Sequence, residues 1–359
     1  MAAPVLVLLA TAGAALAIAA WLAKAAMRVG RRSGERRALA AAGALAGVAV
    51  ACAALLVRGP APDGDRTLFV GGVATEPFVF VEGIRRPLPS QQIRAVKPPT
   101  GTPVFDVTYT IDSWGNRSAP EAPGRPAVVF FGCSFAFGNG VEDDETLPWQ
   151  FALDVGRRFD VVNAALSGYG AHHVLRMLEL GLLDGRVQSG VARAFYSAIP
   201  DHVRRAAQGQ SWDLVGPRYE LAGDGLRLAG PMRSLPGRLF VETLQYALGR
   251  KWRPPWEDAT PGPADVERWA RIVAQSAALV RERWGAPFTV VMWDFGTPRG
   301  RGLGAELRRH GLDVVLVSEL LPPAKVRLIP GDGHPTASTD AALARALAEK
   351  YFPGTGTAE

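Results

Sequence analysis

The chain has 359 residues, 48% of them hydrophobic and 21% charged, with a formal net charge of +6. That composition excludes a disordered or fibrous chain and suffices for one sizeable α/β domain with accessory segments. Seven of the 40 Lys and Arg residues and one of the 34 acidic residues fall within residues 1–58, leaving 33 of each beyond, so the body is neutral and carries no basic stripe for a nucleic acid.

Met1 to Ala23 and Ala38 to Val57 contain no charged residue, and each run is long enough to cross a hydrocarbon core of about 30 Å as a helix. Arg28, Arg31, Arg32, Arg36 and Arg37 lie between them, and basic residues in short loops favour the cytoplasmic side. A two-helix transmembrane anchor over residues 1–58 is therefore expected, multi-pass in the cytoplasmic membrane, with everything after Arg58 extracytoplasmic. No basic segment precedes the first apolar run, which argues against a cleaved signal peptide. The two cysteines, Cys52 and Cys133, are placed too differently to suggest a disulfide. No C-x-x-C or H-E-x-x-H spacing appears, so neither a metal nor a cofactor is expected.

Residues 59–125 are rich in Pro and Gly and read as a linker followed by a small β-rich lead-in, with TLFVGG, PFVFVEG and FDVTYTID as its strand-like stretches. Residues 126–353 alternate short apolar strands with longer helical patterns. Strands are predicted at 127–132, 159–165, 192–199, 288–295 and 313–320, and helices at 146–158, 171–187, 263–284 and 336–352. In the third helix, Val266, Trp269, Val273, Val280 and Trp284 recur at helical spacing. The alternation predicts an α/β fold, a three-layer α/β/α sandwich on a mostly parallel five-stranded sheet. Residues 206–262 break the rhythm and are read as an insertion whose Trp212, Tyr219, Trp252 and Trp256 either stack on sugar rings or pack on their own loop.

Ligands of open parallel sheets bind beyond the carboxyl ends of the strands. The first strand runs into FFGCSFAFGNGV, where Ser134 stands in a glycine-flanked turn that exposes a hydroxyl and offers a backbone N–H to an oxyanion, unless the serine only caps the next helix. The second strand ends in NAALSGYGAHH, bringing Gly168 and Gly170 to the same edge. Before the last helix, GDGHPTAST supplies His334 with Asp332 two residues earlier. A serine nucleophile needs a base, and the base needs an orienting partner, so Ser134, His334 and Asp332 form a candidate triad. His172, His173 and His202 follow strands on the correct side as secondary candidates, whereas His310 lies at the opposite edge. Cys133 is a rival nucleophile, but its neighbouring position turns it toward the core if Ser134 faces the cleft.

Over about Val128 to Phe352 these blocks resemble the SGNH, or GDSL-like, hydrolases. FFGCSFAFGNGVEDDETLPWQ is similar to the nucleophile block, with Cys133 in place of the usual Asp. NAALSGYG is similar to the glycine block, which implies Gly168 as an oxyanion donor, and DGHP to the block carrying the base. The family's oxyanion Asn is replaced by Pro200 in AIPDH, which leaves Asp201, His202 or another group to compensate. Asp332-x-His334 replaces the commoner Asp-x-x-His and resembles the alginate O-acetyltransferases of the same superfamily. The resemblance implies a serine esterase or deacylase acting on an acylated envelope or extracellular glycan or lipid. An O-acyltransferase using the same site, and a non-catalytic glycan-binding protein on a degenerate scaffold, remain open alternatives.

Overall fold

The structure is a computed structural model that describes residues 2–29, 32–58, 67–70, 78–97, 102–248 and 253–354. The expected linker over 59–66, parts of the TLFVGG and PFVFVEG stretches, and Trp252 lie outside the described residues.

The chain opens with α1 (Ala2–Val29) and α2 (Arg32–Arg58), then the lead-in strands β1 (Leu68–Val70), β2 (Phe78–Val81), β3 (Ile84–Pro87), β4 (Gln91–Lys97) and β5 (Phe105–Ile111). Next come β6 (Ala127–Gly132), α3 (Ser134–Phe137), α4 (Leu147–Asp154), β7 (Asp160–Asn163), α5 (Ala171–Glu179), β8 (Val191–Ala198) and α6 (Asp201–Gln208). The insertion holds β9 (Pro217–Ala222), β10 (Gly225–Pro231) and α7 (Leu235–Leu248). The chain finishes with α8 (Pro263–Trp284), β11 (Phe288–Met292), α9 (Pro298–Arg309), β12 (Asp313–Leu316), α10 (Val317–Leu320) and α11 (Ala337–Tyr351).

These elements form two compact units. One contains Met1–Gly64 and Arg233–Asp258, the other Asp65–Met232 and Ala259–Glu359. In the first, α1 and α2 pack on each other and α7 packs on α1. Among the described residues no helix is long and apolar enough to cross a membrane. The insertion at 206–262 is divided between the units: its β9–β10 hairpin belongs with the sheet and α7 with the helix pair.

In the second unit the expected five-stranded sheet is present in the order β12-β11-β8-β6-β7, with every pairing parallel. Every residue of the central strand β6 is buried, as a parallel strand covered on both faces requires. Val129 and Phe131 join a core with Leu175 of α5 and Val273 of α8. Val128 and Phe130 point the other way, joining Phe151 of α4 and Leu343 of α11. That division is the three-layer sandwich. The lead-in is continuous with it: β4 and β5 alternate buried and more exposed residues, and Ile93, Val107 and Tyr109 enter the same core as Val129.

Candidate active site

The site is built at the carboxyl ends of β6, β7 and β8 and on the loop before α11. Strand β6 ends at Gly132 with φ of 153°. A Cβ there would lie 3.0 Å from both Ser197 Cβ and Ser197 O on β8, so the tight exit from the strand requires glycine. Cys133 then caps α3 in extended conformation, and Ser134 is the first residue of that helix, where backbone N–H groups have no intrahelical acceptor.

His334 is brought to Ser134 by a tight loop. Leu328 and Pro335 form an isolated bridge, and the N–H groups of Asp332 and Gly333 both donate to Ile329 O, at 3.1 and 2.9 Å. His334 Nε2 lies 2.7 Å from Ser134 Oγ, and His334 Nδ1 is bonded to Asp332 Oδ2. The second carboxylate oxygen, Asp332 Oδ1, accepts from Lys97 Nζ at 2.7 Å. Burial raises the Asp332 pKa, but the His334 bond and the Lys97 ammonium outweigh it and hold the group down at about 2. The carboxylate is therefore charged at neutral pH, oriented by one residue of the lead-in and orienting the imidazole. The Asp-x-His spacing is no obstacle to this geometry.

Two backbone N–H groups stand in the turns that follow β6 and β7. Gly168 has φ of 89°, and among the described residues its N–H donates to no protein acceptor; the other is the N–H of Ser134. Around Gly168 the turn is fixed: Leu166 N–H donates to Gly132 O at 3.3 Å, Tyr169 N–H to Leu166 O at 3.0 Å, and Arg85 Nη2 to Ser167 O at 2.9 Å. Ser167 Oγ donates to Asn139 Oδ1 at 2.9 Å, and Asn139 N–H donates to Ser134 O at 3.0 Å, so Asn139 ties the glycine turn to the nucleophile turn.

Three expected site residues are placed elsewhere. Gly170 is not an oxyanion donor, because its N–H is taken by His173 Nδ1 at 3.1 Å. Asp201 does not compensate for Pro200: Arg204 and Arg205 hold its carboxylate at 2.6 and 2.8 Å. Burial raises its pKa, and the two guanidinium groups bring it below the ordinary value. His202 is fully buried, with Nδ1 lying 2.6 Å from the Tyr196 hydroxyl, and burial pushes its pKa well down. Pro200 itself is the N-cap of α6 and supplies no amide side chain. Cys133 is fully buried in the α4–α11 core, leaving Ser134 as the nucleophile candidate at this turn. His310 closes α9 beside Glu267 at 3.2 Å, remote in the fold from the strand ends that carry the triad.

Lys97, Asn139 and Arg85 were not legible in the sequence. Lys97 and Arg85 act through partners far along the chain, 235 residues away for Lys97 and Asp332 and 82 for Arg85 and Ser167, and Asn139 joins Ser134 to Ser167, 28 residues on; no local spacing marks such pairs.

No protein-family model and no curated protein sequence matches the chain. Among solved structures it is similar to TesA, at 13% identity over 63% of this chain and 98% of that one, with a TM-score of 0.39. It is similar to AlinE4, an SGNH-hydrolase family esterase, at 13% identity over 65% and 96%, with a TM-score of 0.34. It is also similar to a carbohydrate acetylesterase family member from Sinorhizobium meliloti, at 11% identity over 63% and 98%, with a TM-score of 0.33.

Proposed function

We propose that the protein is a serine ester hydrolase of the SGNH kind that removes an acyl group from a glycan or lipid of the cell envelope. The observation that carries this reading is the continuous line from Ser134 Oγ through His334 to Asp332, with the turn holding Gly168 following the neighbouring strand β7.

Attack forms a bond between Ser134 Oγ and the acyl carbon while the hydroxyl proton passes to His334 Nε2. The carbonyl oxygen gains the electron pair and is held by the N–H groups of Ser134 and Gly168. Collapse breaks the ester C–O bond, and His334 returns the proton to the leaving alcohol. A water then loses its proton to His334 and attacks the acyl-enzyme, and collapse breaks the bond to Ser134 Oγ, which takes the proton back from His334 as the carboxylic acid leaves. Asp332 holds the imidazole and stabilises its charged form throughout. With Pro200 in place of an amide side chain the oxyanion has two donors, and a missing donor costs about a hundredfold to a thousandfold in turnover, so a modest kcat is expected.

The Asp332-x-His334 spacing favours a second reading, an O-acyltransferase in which a sugar hydroxyl replaces water as the second nucleophile. The extracytoplasmic location belongs to the same proposal. Its support is the charge-free character of residues 1–23 and 38–57 and the arginines between them. The test is hydrolysis of p-nitrophenyl acetate by the full chain in detergent, with and without an oligosaccharide acceptor. Loss of turnover in both Ser134→Ala and His334→Ala is expected; undiminished turnover in either refutes the assignment. Acceleration by the acceptor, with the acetyl group recovered on it, selects the transferase reading.

A further inference from the structure

Beneath the glycine turn lies a group of buried polar side chains that the reaction does not touch. His172 and His173 open α5, and both aim Nε2 at one carboxylate of the insertion: His172 Nε2 lies 3.0 Å from Asp213 Oδ2 and His173 Nε2 lies 3.2 Å from Asp213 Oδ1. All three residues are buried, and their ligand atoms are close enough together to hold a metal ion. The protons decide against that use. Gly170 N–H donates to His173 Nδ1 at 3.1 Å, so that nitrogen carries no proton and the neutral ring must carry its proton on Nε2, facing Asp213. A cation at Nε2 would require either an imidazolate or loss of the Gly170 bond. His172 offers a metal no second-shell support, because its Nδ1 is buried without an acceptor among the described residues. Burial is the main cause that depresses the His172 pKa to about 4, aided by neighbouring His173. Asp213, despite burial, is held below the usual carboxylate range by the two imidazoles. The arrangement is a charged carboxylate clasped by two neutral N–H donors.

The clasp reaches the oxyanion donor from two sides. On one side His173 fixes Gly170, and its ring stacks on Tyr169 at 4.6 Å between centroids and 6° between planes. Tyr169 is also held by its carbonyl, which accepts from Arg205 Nη1 at 2.7 Å, and by its hydroxyl, which donates to Arg85 O at 2.6 Å. On the other side Asp213 anchors its neighbour Trp212, which lies against Gly168 so closely that a Cβ on the glycine would be 3.1 Å from Trp212 Nε1.

We propose that His173, with Asp213 and His172, is a positioning residue that aims the Gly168 N–H at the reacting carbonyl by tying the glycine turn to the insertion. The inference rests on the esterase reading above. Two near-isosteric substitutions separate the halves of the clasp. His173→Asn keeps an acceptor at the place of Nδ1 for Gly170 and loses Asp213; His173→Gln keeps a donor at the place of Nε2 for Asp213 and loses Gly170. His173→Ala loses both.

The measurements are kcat and KM for p-nitrophenyl acetate, and the affinity of an alkylboronic acid whose tetrahedral adduct on Ser134 places an oxygen where the oxyanion forms. Misaiming one donor costs less than deleting it, so His173→Ala should lose about tenfold to a hundredfold in kcat. KM should stay within about twofold, because the interaction is strengthened only in the transition state. Boronate affinity should fall in parallel, and the Asn and Gln variants should each lose part of the effect. A purely structural role would lower Tm and leave kcat and boronate affinity of the folded protein intact, which overturns the proposal. If the Ala variant does not fold, the Asn and Gln variants decide by the same criterion. Turnover surviving dialysis against a chelator supports the clasp, whereas turnover lost to the chelator and restored by zinc overturns it. Ser134→Ala in the same assay keeps the two readings apart: activity in that variant sinks the esterase reading, while unchanged His173 variants beside an inactive Ser134→Ala sink only the clasp.

Discussion

Arg117 offers a severe test of how the lead-in supports the nucleophile turn. Its side chain is fully buried, and its guanidinium gathers the carbonyl oxygens that follow α3: Nη1 donates to Phe137 O at 3.1 Å and Gly138 O at 2.6 Å, Nη2 to Val141 O at 2.8 Å, and Nε to Asp143 Oδ1 at 3.0 Å. The same group lies 4.1 Å over the Tyr109 ring and 5.0 Å over Phe137. Arg117→Met keeps most of the volume and removes every donor. Each carbonyl left buried without a donor costs about 1–3 kcal/mol, and breaking a buried ion pair costs about 3–5 kcal/mol. The terms overlap, and Asp143, with a side chain 20% exposed, regains some hydration, so a net loss of about 4 kcal/mol is expected. At about 2 °C per kcal/mol for a domain of this size, Tm should fall by roughly 8 °C. Differential scanning calorimetry and the acetate assay on the same preparation read this out, with Arg117→Lys as an intermediate case because an ammonium cannot match the planar fork. Turnover should fall as well, since the freed carbonyls belong to the turn that begins at Ser134. A Tm within about 2 °C of wild type together with unchanged kcat would mean that Arg117 does not support the nucleophile turn.

Two further predictions follow from the titrating groups and the triad. His172 has its pKa lowered to about 4 in the fold from about 6.5 in the unfolded chain, so the unfolded state binds the extra proton first. Stability is full above about pH 6.5 and falls as pH drops toward 4, with Asp332, held at about 2, extending the loss below pH 4. Urea midpoints measured at successive pH values should decline over that window, and a midpoint that rises between pH 7 and 5 contradicts the assignment. Asp332→Asn preserves the shape of the loop but cannot accept the His334 Nδ1 proton with a charge, so kcat should drop by about a thousandfold or more with a nearly normal KM. A loss under tenfold in steady-state kinetics would mean that Asp332 does not orient the base.

Much of the fold was legible in the residues themselves because the central strands are continuous apolar runs: β6 matches its predicted span, and β8 and α8 match within a residue. Strand ends were not. The stretch 313–320 divides at Leu316, where the Glu319 carboxylate accepts the Leu316 N–H at 3.0 Å and starts α10. The stretch 288–295 stops at Met292 because Asp294 turns the chain, accepting from Gly296 N–H and from Ser318. The helix predicted to run to 187 ends at Glu179, two residues before Gly181 adopts φ of 63°. The insertion conceals a hairpin, with a register shift between Leu228 and Pro231, whose outer ends are Pro217 and Pro231, residues that read as breakers without a partner strand in view. In the site, Ser134, His334 and Asp332 announce themselves through local motifs. Arg85, Lys97, Asn139 and Asp213 do not, because their roles exist only when distant segments meet.

In the proposed reaction Ser134 becomes covalently acylated. Incubating the full chain with an alkyl fluorophosphonate and mapping the adduct by peptide mass spectrometry tests it directly. A stoichiometric adduct on Ser134 is expected, lost in Ser134→Ala and slowed strongly in His334→Ala. No adduct on a folded protein, or an adduct on Cys133 or another residue, would contradict it.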